Sequence, residues 1–144
     1  DAVTTFTGTV SIKGHDGNYA DLSGINFEGE GGIGLDAYCL VLLTDCNFTG
    51  WDTAAVSQNG AWVNAMECTF ANNTVGLKFS TTMAYGTAPN YVNNTFADNG
   101  TAVCIDSLPG NEVIDFAGSV FSGNDTDIDN KADHAVDTAK ATFE

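Results

Sequence analysis

The chain contains no arginine and only four lysines, against 19 aspartates and glutamates, which gives a formal net charge of −15 over 144 residues. Proteins that bind nucleic acid hold its phosphates with clustered lysine and arginine. We therefore expect no nucleic acid partner, and binding to anionic membranes is disfavoured for the same reason.

Long apolar runs are also missing. The longest, Ala37–Leu43, is far shorter than the roughly 20 residues of a membrane-spanning helix, so we predict no membrane insertion. No signal-peptide pattern is present, and the chain opens on Asp1 instead of Met. Our expectation is a mature, processed protein or a piece of a longer one.

Phenylalanine, in contrast, recurs at regular intervals of 21, 22, 26, 25 and 22 residues. The six positions are Phe27, Phe48, Phe70, Phe96, Phe121 and Phe143. Such a period indicates stacked repeats, because a unit this short cannot bury its own apolar face. We expect these six rings to form one internal aromatic ladder.

The residues before each phenylalanine alternate in polarity, as in a strand with one buried face. Two inward rows are expected, two and four residues before each ring. The first is Ile25, Cys46, Cys68, Asn94, Ser119 and Ala141, and the second is Ser23, Thr44, Met66, Val92, Ala117 and Ala139. A second strand is predicted after each Asn- and Gly-rich corner, marked by Leu35, Val56, Leu77, Val103 and Ile128.

Strands that are separated by one such coil must be parallel, and no helical pattern is available to connect them. The sequence therefore predicts an all-β fold, a parallel β-helix (solenoid) of about six coils. We expect a single domain over residues 1–144, with 1–20 as the first coil or edge and 21–144 as the repeats.

Three of the corners carry a recognisable motif, Phe70–Asn73, Phe96–Asn99 and Phe121–Asn124. This pattern resembles the FxxN repeat of right-handed, single-stranded parallel β-helix surface proteins of the polymorphic outer-membrane and adhesin-like type. The resemblance implies a right-handed coil and an extracellular or cell-surface location. Phe27 and Phe48 depart from it, since Glu30 and Trp51 stand where asparagine is expected.

Five asparagines lie in N-x-S/T sequons, namely Asn47, Asn72, Asn93, Asn99 and Asn124. Alternation places Asn47 and Asn93 outward, and the other three lie at corners where we expect a glycan to meet no obstacle. Asn-rich corners followed by Thr-rich strands also create sequons by accident, so glycosylation and its absence both stay open.

The four cysteines are Cys39, Cys46, Cys68 and Cys104. Cys46 and Cys68 share one inward position in adjacent coils, where a ladder of free thiols is favoured over a disulfide because parallel stacking gives poor torsion geometry. Cys104 is expected on the outer face beside Lys78, as a surface thiol. Zinc is disfavoured, because the chain has no CxxC pair and its two histidines are far apart.

We predict no resident cofactor, with one candidate exception. Asp125, Asp127 and Asp129 place three carboxylates at alternate positions, with the last two expected outward on one strand. Hard cations such as Ca²⁺ take such oxygen ligands, although the glycine and glutamate of an EF-hand loop are absent. A solvated acidic turn is the alternative.

An enzyme is disfavoured. A polysaccharide lyase needs basic side chains to offset substrate carboxylates, which this chain does not offer. A glycoside hydrolase needs two carboxylates at a defined separation. Asp45 stacks beneath Glu67, but their row continues with Asn93, Gly118 and Lys140 and is typical of a solvated face.

The two ends favour self-association. The chain stops in register with the Phe row, and the expected edge is Thr138, Ala139, Lys140, Ala141, Thr142 and Phe143. Uncovered strand edges pair readily, and head-to-tail contacts generate filaments. We expect an extracellular structural or adhesive protein, either a segment of a longer surface rod or a subunit that stacks end to end. The alternative is a module that binds glycans or host surfaces through Trp51, Trp62, Tyr85 and Tyr91.

Overall fold

The computed structural model describes residues 3–14, 19–58, 60–83 and 89–144. These residues form strands, turns and irregular segments and contain no helix, so the predicted all-β class is confirmed. The strands are β1 (Thr4–Phe6), β2 (Val10–Ile12), β3 (Tyr19–Ser23), β4 (Ile25–Glu28), β5 (Ile33–Ala37), β6 (Leu40–Thr44), β7 (Asn47–Thr49), β8 (Thr53–Gln58), β9 (Val63–Met66), β10 (Thr69–Ala71), β11 (Val75–Ser80), β12 (Thr95–Ala97), β13 (Thr101–Ser107), β14 (Ile114–Asp115), β15 (Val120–Ser122), β16 (Thr126–Asn130), β17 (Val136–Asp137) and β18 (Thr142–Phe143).

The strands line three sides of a β-solenoid of about six turns, and their pairings are parallel. Sheet A has the order β1-β4-β7-β10-β12-β15-β18 and carries the phenylalanines. Sheet B has the order β2-β5-β8-β11-β13-β16. The third side consists of β3-β6-β9, followed by the parallel bridge between Asn90 and Asp115 and by the pair β14-β17.

The aromatic ladder is confirmed. From Phe27 to Phe143, successive rings stack with centroids 4.3 to 5.2 Å apart and planes 4 to 12° from parallel. Phe6 adds an earlier rung, because it is the register partner of Phe27, with centroids 5.7 Å apart. Phe6 lies 21 residues before Phe27, so the spacing in the sequence could have identified it as a member of the ladder.

The row four residues before each phenylalanine is not the core row that we expected. The residue between the two expected rows adopts a left-handed backbone, with φ of 52° at Asp45 and 58° at Glu67. Such a residue turns the chain sharply, so the strict alternation of an extended strand ends there. The buried row therefore lies five residues before each ring, at Leu43, Ala65, Tyr91 and Phe116.

The second-strand row is confirmed except in one coil. Leu35 pairs in register with Ala55, and Ala55 pairs with Leu77, whereas Val56 lies in the row of Asp36 and Lys78. The corner after Phe48 is one residue shorter than the corner after Phe27, since Ala55 follows its ring by seven residues and Leu35 by eight. Because of this shorter corner, Ala55 occupies the inward position that we expected for Val56.

Truncation of a central ring tests the ladder. Phe70 is fully buried between the rings of Phe48 and Phe96, so Phe70→Ala should lower the free energy of unfolding by about 3–5 kcal/mol. Phe143→Ala should cost less than about half of that, because this ring is 47% exposed. Urea denaturation followed by circular dichroism measures both, and equal losses would contradict the stacked arrangement.

Candidate functional site

The two ends of sheet A expose aromatic rings. Phe6 is 38% exposed and Phe143 is 47% exposed, whereas the five rings between them are buried. In β18, the N–H groups of Thr142 and Glu144 donate to Ser119 and Phe121 at 2.9 and 2.8 Å. Parallel ladders use alternate residues on opposite sides, so the backbone N–H and C=O of Phe143 point to the open side.

The two edges carry little charge, although the chain is strongly acidic. Residues 3–12, which include β1 and β2, contain no charged side chain. At the opposite end, Lys140 and Glu144 flank β18 with charges of opposite sign. The terminal strands of sheet A therefore add little repulsion between acidic copies, whereas the terminal strand of sheet B, β16, carries Asp127 and Asp129.

An asparagine ladder forms the corner after each FxxN phenylalanine. Its members are Asn73, Asn99 and Asn124. The side-chain oxygen of each accepts the backbone N–H of the corresponding residue one coil earlier, at 3.0 Å in all three cases. The side-chain nitrogen of each donates to the carbonyl of the phenylalanine one coil earlier, at 2.9 to 3.1 Å. The motif asparagine therefore has a structural role, since it satisfies the backbone where the strand ends.

Trp51 takes the place of asparagine in this ladder. Its ring nitrogen Nε1 donates to the carbonyl oxygen of Phe27 at 3.0 Å, as the asparagine nitrogens do in later coils. The ring lies against Gly29 and Gly34, where a Cβ atom would clash with it. A larger side chain at either glycine would displace the indole, so these glycines make room for the tryptophan.

Two of the five sequon asparagines do not lie where we expected. Asn99 is 2% exposed, and its side-chain nitrogen donates to Phe70 and Asn124. Asn124 is half-buried in the same ladder. The expectation of unobstructed corners was wrong for both, because the amide that would carry a glycan is the group that holds the corner. The side chains of the other three, at Asn47, Asn72 and Asn93, are exposed, and their glycosylation stays a prediction.

The proposed aromatic platform for glycans is largely inside the protein. Trp51 is 3% exposed and Tyr91 is fully buried, with Tyr91 packed between the rings of Phe79 and Phe116. The outward positions expected for both were wrong, because Trp51 belongs to the asparagine row and Tyr91 to the shifted core row. Trp62 is half-buried, and Tyr85 lies outside the described residues.

The three aspartates that were candidate Ca²⁺ ligands lie in different surroundings. Asp127 accepts a hydrogen bond from Asn124 at 3.0 Å, and Asp129 pairs with Lys131 at 3.4 Å. Asp125 is exposed. Within the ranges that the structure describes, no three His, Cys, Asp or Glu side chains come close enough to share a metal ion. Ca²⁺ binding stays a prediction that would need these side chains to rearrange.

Cys104 lies in the outer row of sheet B beside Lys78, as expected, but it is only 5% exposed. Lys131 Nζ lies 4.0 Å from its sulfur, and Asp106 accepts from the thiol at 3.4 Å. Burial and then the Asp106 carboxylate raise the pKa of Cys104. Asp106 also pairs with Lys78 at 3.2 Å, and the expected exposed surface thiol is instead covered by this ion-pair network.

Cys46 and Cys68 begin a second polar ladder, at the corner before each phenylalanine. The backbone N–H of Cys46 donates to the Cys68 sulfur at 3.5 Å, and that of Cys68 donates to the Asn94 oxygen at 3.0 Å. Asn94 N–H in turn donates to the Ser119 hydroxyl oxygen at 3.1 Å. Cysteine, asparagine and serine thus perform one task in successive coils. Their shared row was visible in the sequence, but their hydrogen bonds were not.

Both thiols are free and buried, and they influence each other. The hydrogen bond from the Cys68 side chain lowers the pKa of Cys46 to about 7, against the effect of burial. The same hydrogen bond, together with burial, raises the pKa of Cys68. The protonation of one thiol therefore affects that of the other.

Comparison of the chain with protein-family models, with curated proteins and with solved structures gives no significant match. In the part of the chain that the structure describes, no helix is long and apolar enough to cross a bilayer.

Replacement of a buried ladder amide tests the role of the corner. Asn99→Ala removes the partners of the Asn73 N–H and the Phe70 carbonyl, and each orphaned group should cost about 1–3 kcal/mol. Asn47→Ala is the matched control, because the exposed Asn47 bonds only to the side chain of Asn26 and should change stability by less than about 0.5 kcal/mol. Chemical denaturation compares the two, and a loss of similar size in both variants would refute the assignment.

Proposed function

We propose that this protein is an extracellular structural or adhesive β-solenoid whose copies associate end to end, with β18 of one copy paired to β1 of the next. The observation that carries the proposal is the exposure of Phe6 and Phe143 at the two ends of an otherwise buried ladder. Each ring contacts one aromatic neighbour within the chain, Phe6 tilted by 37° against Phe27 and Phe143 stacked on Phe121. A second copy supplies the missing neighbour at both ends.

The register of the contact follows from the repeat. Phe143 of one copy stacks on Phe6 of the next, and Thr142 lies beside Thr5, as Val120 lies beside Thr142 within the chain. The Thr7 N–H of the second copy then donates to the Phe143 carbonyl, in the way that Glu144 N–H donates to Phe121. Such a contact is heterologous and does not close, so it propagates as a filament.

The contact is concentrated in sheet A. This sheet has seven strands and sheet B has six among the described residues, so pairing of β18 with β1 leaves a one-strand gap between β16 and the next β2. A junction held by one sheet buries less area than a full coil, and we expect assembly at high protein concentration. Salt should favour it, because salt screens the repulsion between copies of charge −15.

The extracellular setting is supported by the resemblance to FxxN surface proteins and by three exposed sequons. A filament of such rods presents the same outer faces many times over, and adhesion gains avidity from that repetition. Sheet A offers mostly uncharged outward side chains for this purpose, including Asn47, Thr69 and Thr95.

A charge placed on the terminal ring tests the assembly. Phe143→Glu puts a carboxylate where the next copy should stack, and we expect it to abolish filaments while the rod stays folded, because this ring is at the edge of the core. Met83→Glu is the matched control, since Met83 is also an exposed apolar side chain, at 62%, and lies away from both ends in the chain. Electron microscopy and light scattering over a range of protein and salt concentrations measure the outcome.

Two results would count against end-to-end association. One is a wild-type chain that stays monomeric at millimolar concentration and high salt. The other is a Phe143→Glu variant that forms filaments as readily as the wild type and Met83→Glu.

A further inference from the structure

The corner before the phenylalanine strand combines buried thiols with exposed acids in two adjacent coils. Cys46 is fully buried and Cys68 is 1% exposed, and each is directly preceded by an exposed acidic residue, Asp45 or Glu67. These acidic residues have the left-handed backbone that turns the chain at the corner. The carboxylates therefore attract cations to the outside of the corner, and the thiols lie one residue further in.

The two sulfur atoms are held in equivalent positions. The Cys68 sulfur accepts a hydrogen bond from the backbone N–H of Cys46 at 3.5 Å, and the residues that follow them, Asn47 and Thr69, are register partners. Stacked Cβ atoms of neighbouring parallel strands are separated by about one strand spacing, roughly 4.8 Å. A disulfide requires Cβ atoms only about 3.8 Å apart, so stacked cysteines of this kind are poorly placed to form one.

We propose that Cys46 and Cys68 form a two-coordinate site for a soft monovalent cation, of the type of Cu⁺ or Ag⁺. Thiolate sulfur is the ligand that selects such ions. The ion bridges the coils of Phe48 and Phe70 and binds in place of the two thiol protons.

The exchange balances without an oxidant or reductant. Two neutral thiols and one M⁺ give a bis-thiolate complex of charge −1, and two protons pass to solvent. The backbone N–H of Cys46 remains as a donor to the Cys68 sulfur and offsets part of the negative charge. Carbonyl oxygens of Leu22, Thr44 and Met66, which lie 3.3 to 3.5 Å from the sulfurs, no longer receive thiol protons and face the cation.

The surroundings favour two ligands over four. The next side chain in the same row is Asn94, whose oxygen already accepts the Cys68 N–H and whose nitrogen donates to Ala65. The preceding one is Ile25, which has no ligand atom. Tetrahedral zinc needs four ligands, so a linear ion suits this row better than Zn²⁺.

Titration with Ag⁺ tests the site in a Cys39→Ser/Cys104→Ser background, which removes the other two thiols. We expect native mass spectrometry to show one silver ion per chain, X-ray absorption to show two sulfur neighbours, and the melting temperature to rise. Cys46→Ser and Cys68→Asn should each weaken binding by about 100-fold or more, since one of two metal–sulfur bonds is lost.

Each replacement residue already occurs at the equivalent position of another coil, so we expect both variants to fold. Asparagine and serine occupy the equivalent position at Asn94 and Ser119, where they accept the same backbone hydrogen bond. Circular dichroism checks that both variants keep the fold. The proposal fails if either variant binds silver as tightly as the background chain, or if that chain binds two ions with one sulfur each.

Discussion

Every other feature of this protein depends on the in-register hydrogen bonding of each coil to the next. The strands on all three sides pair in parallel. Each residue therefore lies directly above its counterpart in the preceding coil, at the same position around the axis. The phenylalanine row becomes a continuous aromatic column with centroids 4.3 to 5.2 Å apart from Phe27 onward, close to the strand spacing itself. The rings therefore stack because the backbones stack, and their burial in turn stabilises the parallel strands.

The corners show how the same repetition satisfies polar groups inside a solenoid. A strand that ends inside the stack leaves backbone N–H and C=O groups that water cannot reach. Asn73, Asn99 and Asn124 satisfy those groups on one side of the phenylalanine strand, and the row of Cys68, Asn94 and Ser119 does so on the other. The chemical identity of the side chain changes from coil to coil, but an acceptor atom is kept at the same place. Trp51 keeps only the donor part of the asparagine's role, since its indole N–H donates to the Phe27 carbonyl and the ring has no acceptor atom.

The fold could be predicted from the sequence because an interval of 21 to 26 residues between phenylalanines admits few alternatives to parallel stacking. The sites could be predicted less well, for two physical reasons. A single left-handed residue such as Asp45 ends the alternation, so residues beyond the corner were assigned to the wrong side, and Tyr91 was expected outside. The expectation that a corner asparagine faces solvent also ignored its position after the phenylalanine. Asn72, two residues after its ring, is exposed, whereas Asn99, three residues after its ring, points into the stack and accepts the Asn73 N–H.

Charge is distributed differently over the long faces of the rod and over its terminal strands. A net charge of −15 on a rod of about six coils keeps the long faces of two copies apart, with Lys78 and Lys131 already held by Asp106. The terminal strands of sheet A differ from those faces, since β1 lies in an uncharged stretch and β18 lies between Lys140 and Glu144. The terminal strand of sheet B at the same end, β16, carries Asp127 and Asp129, so the low charge is confined to sheet A. The same charge distribution concentrates cations at corners such as Asp45 and Glu67, next to the buried thiols.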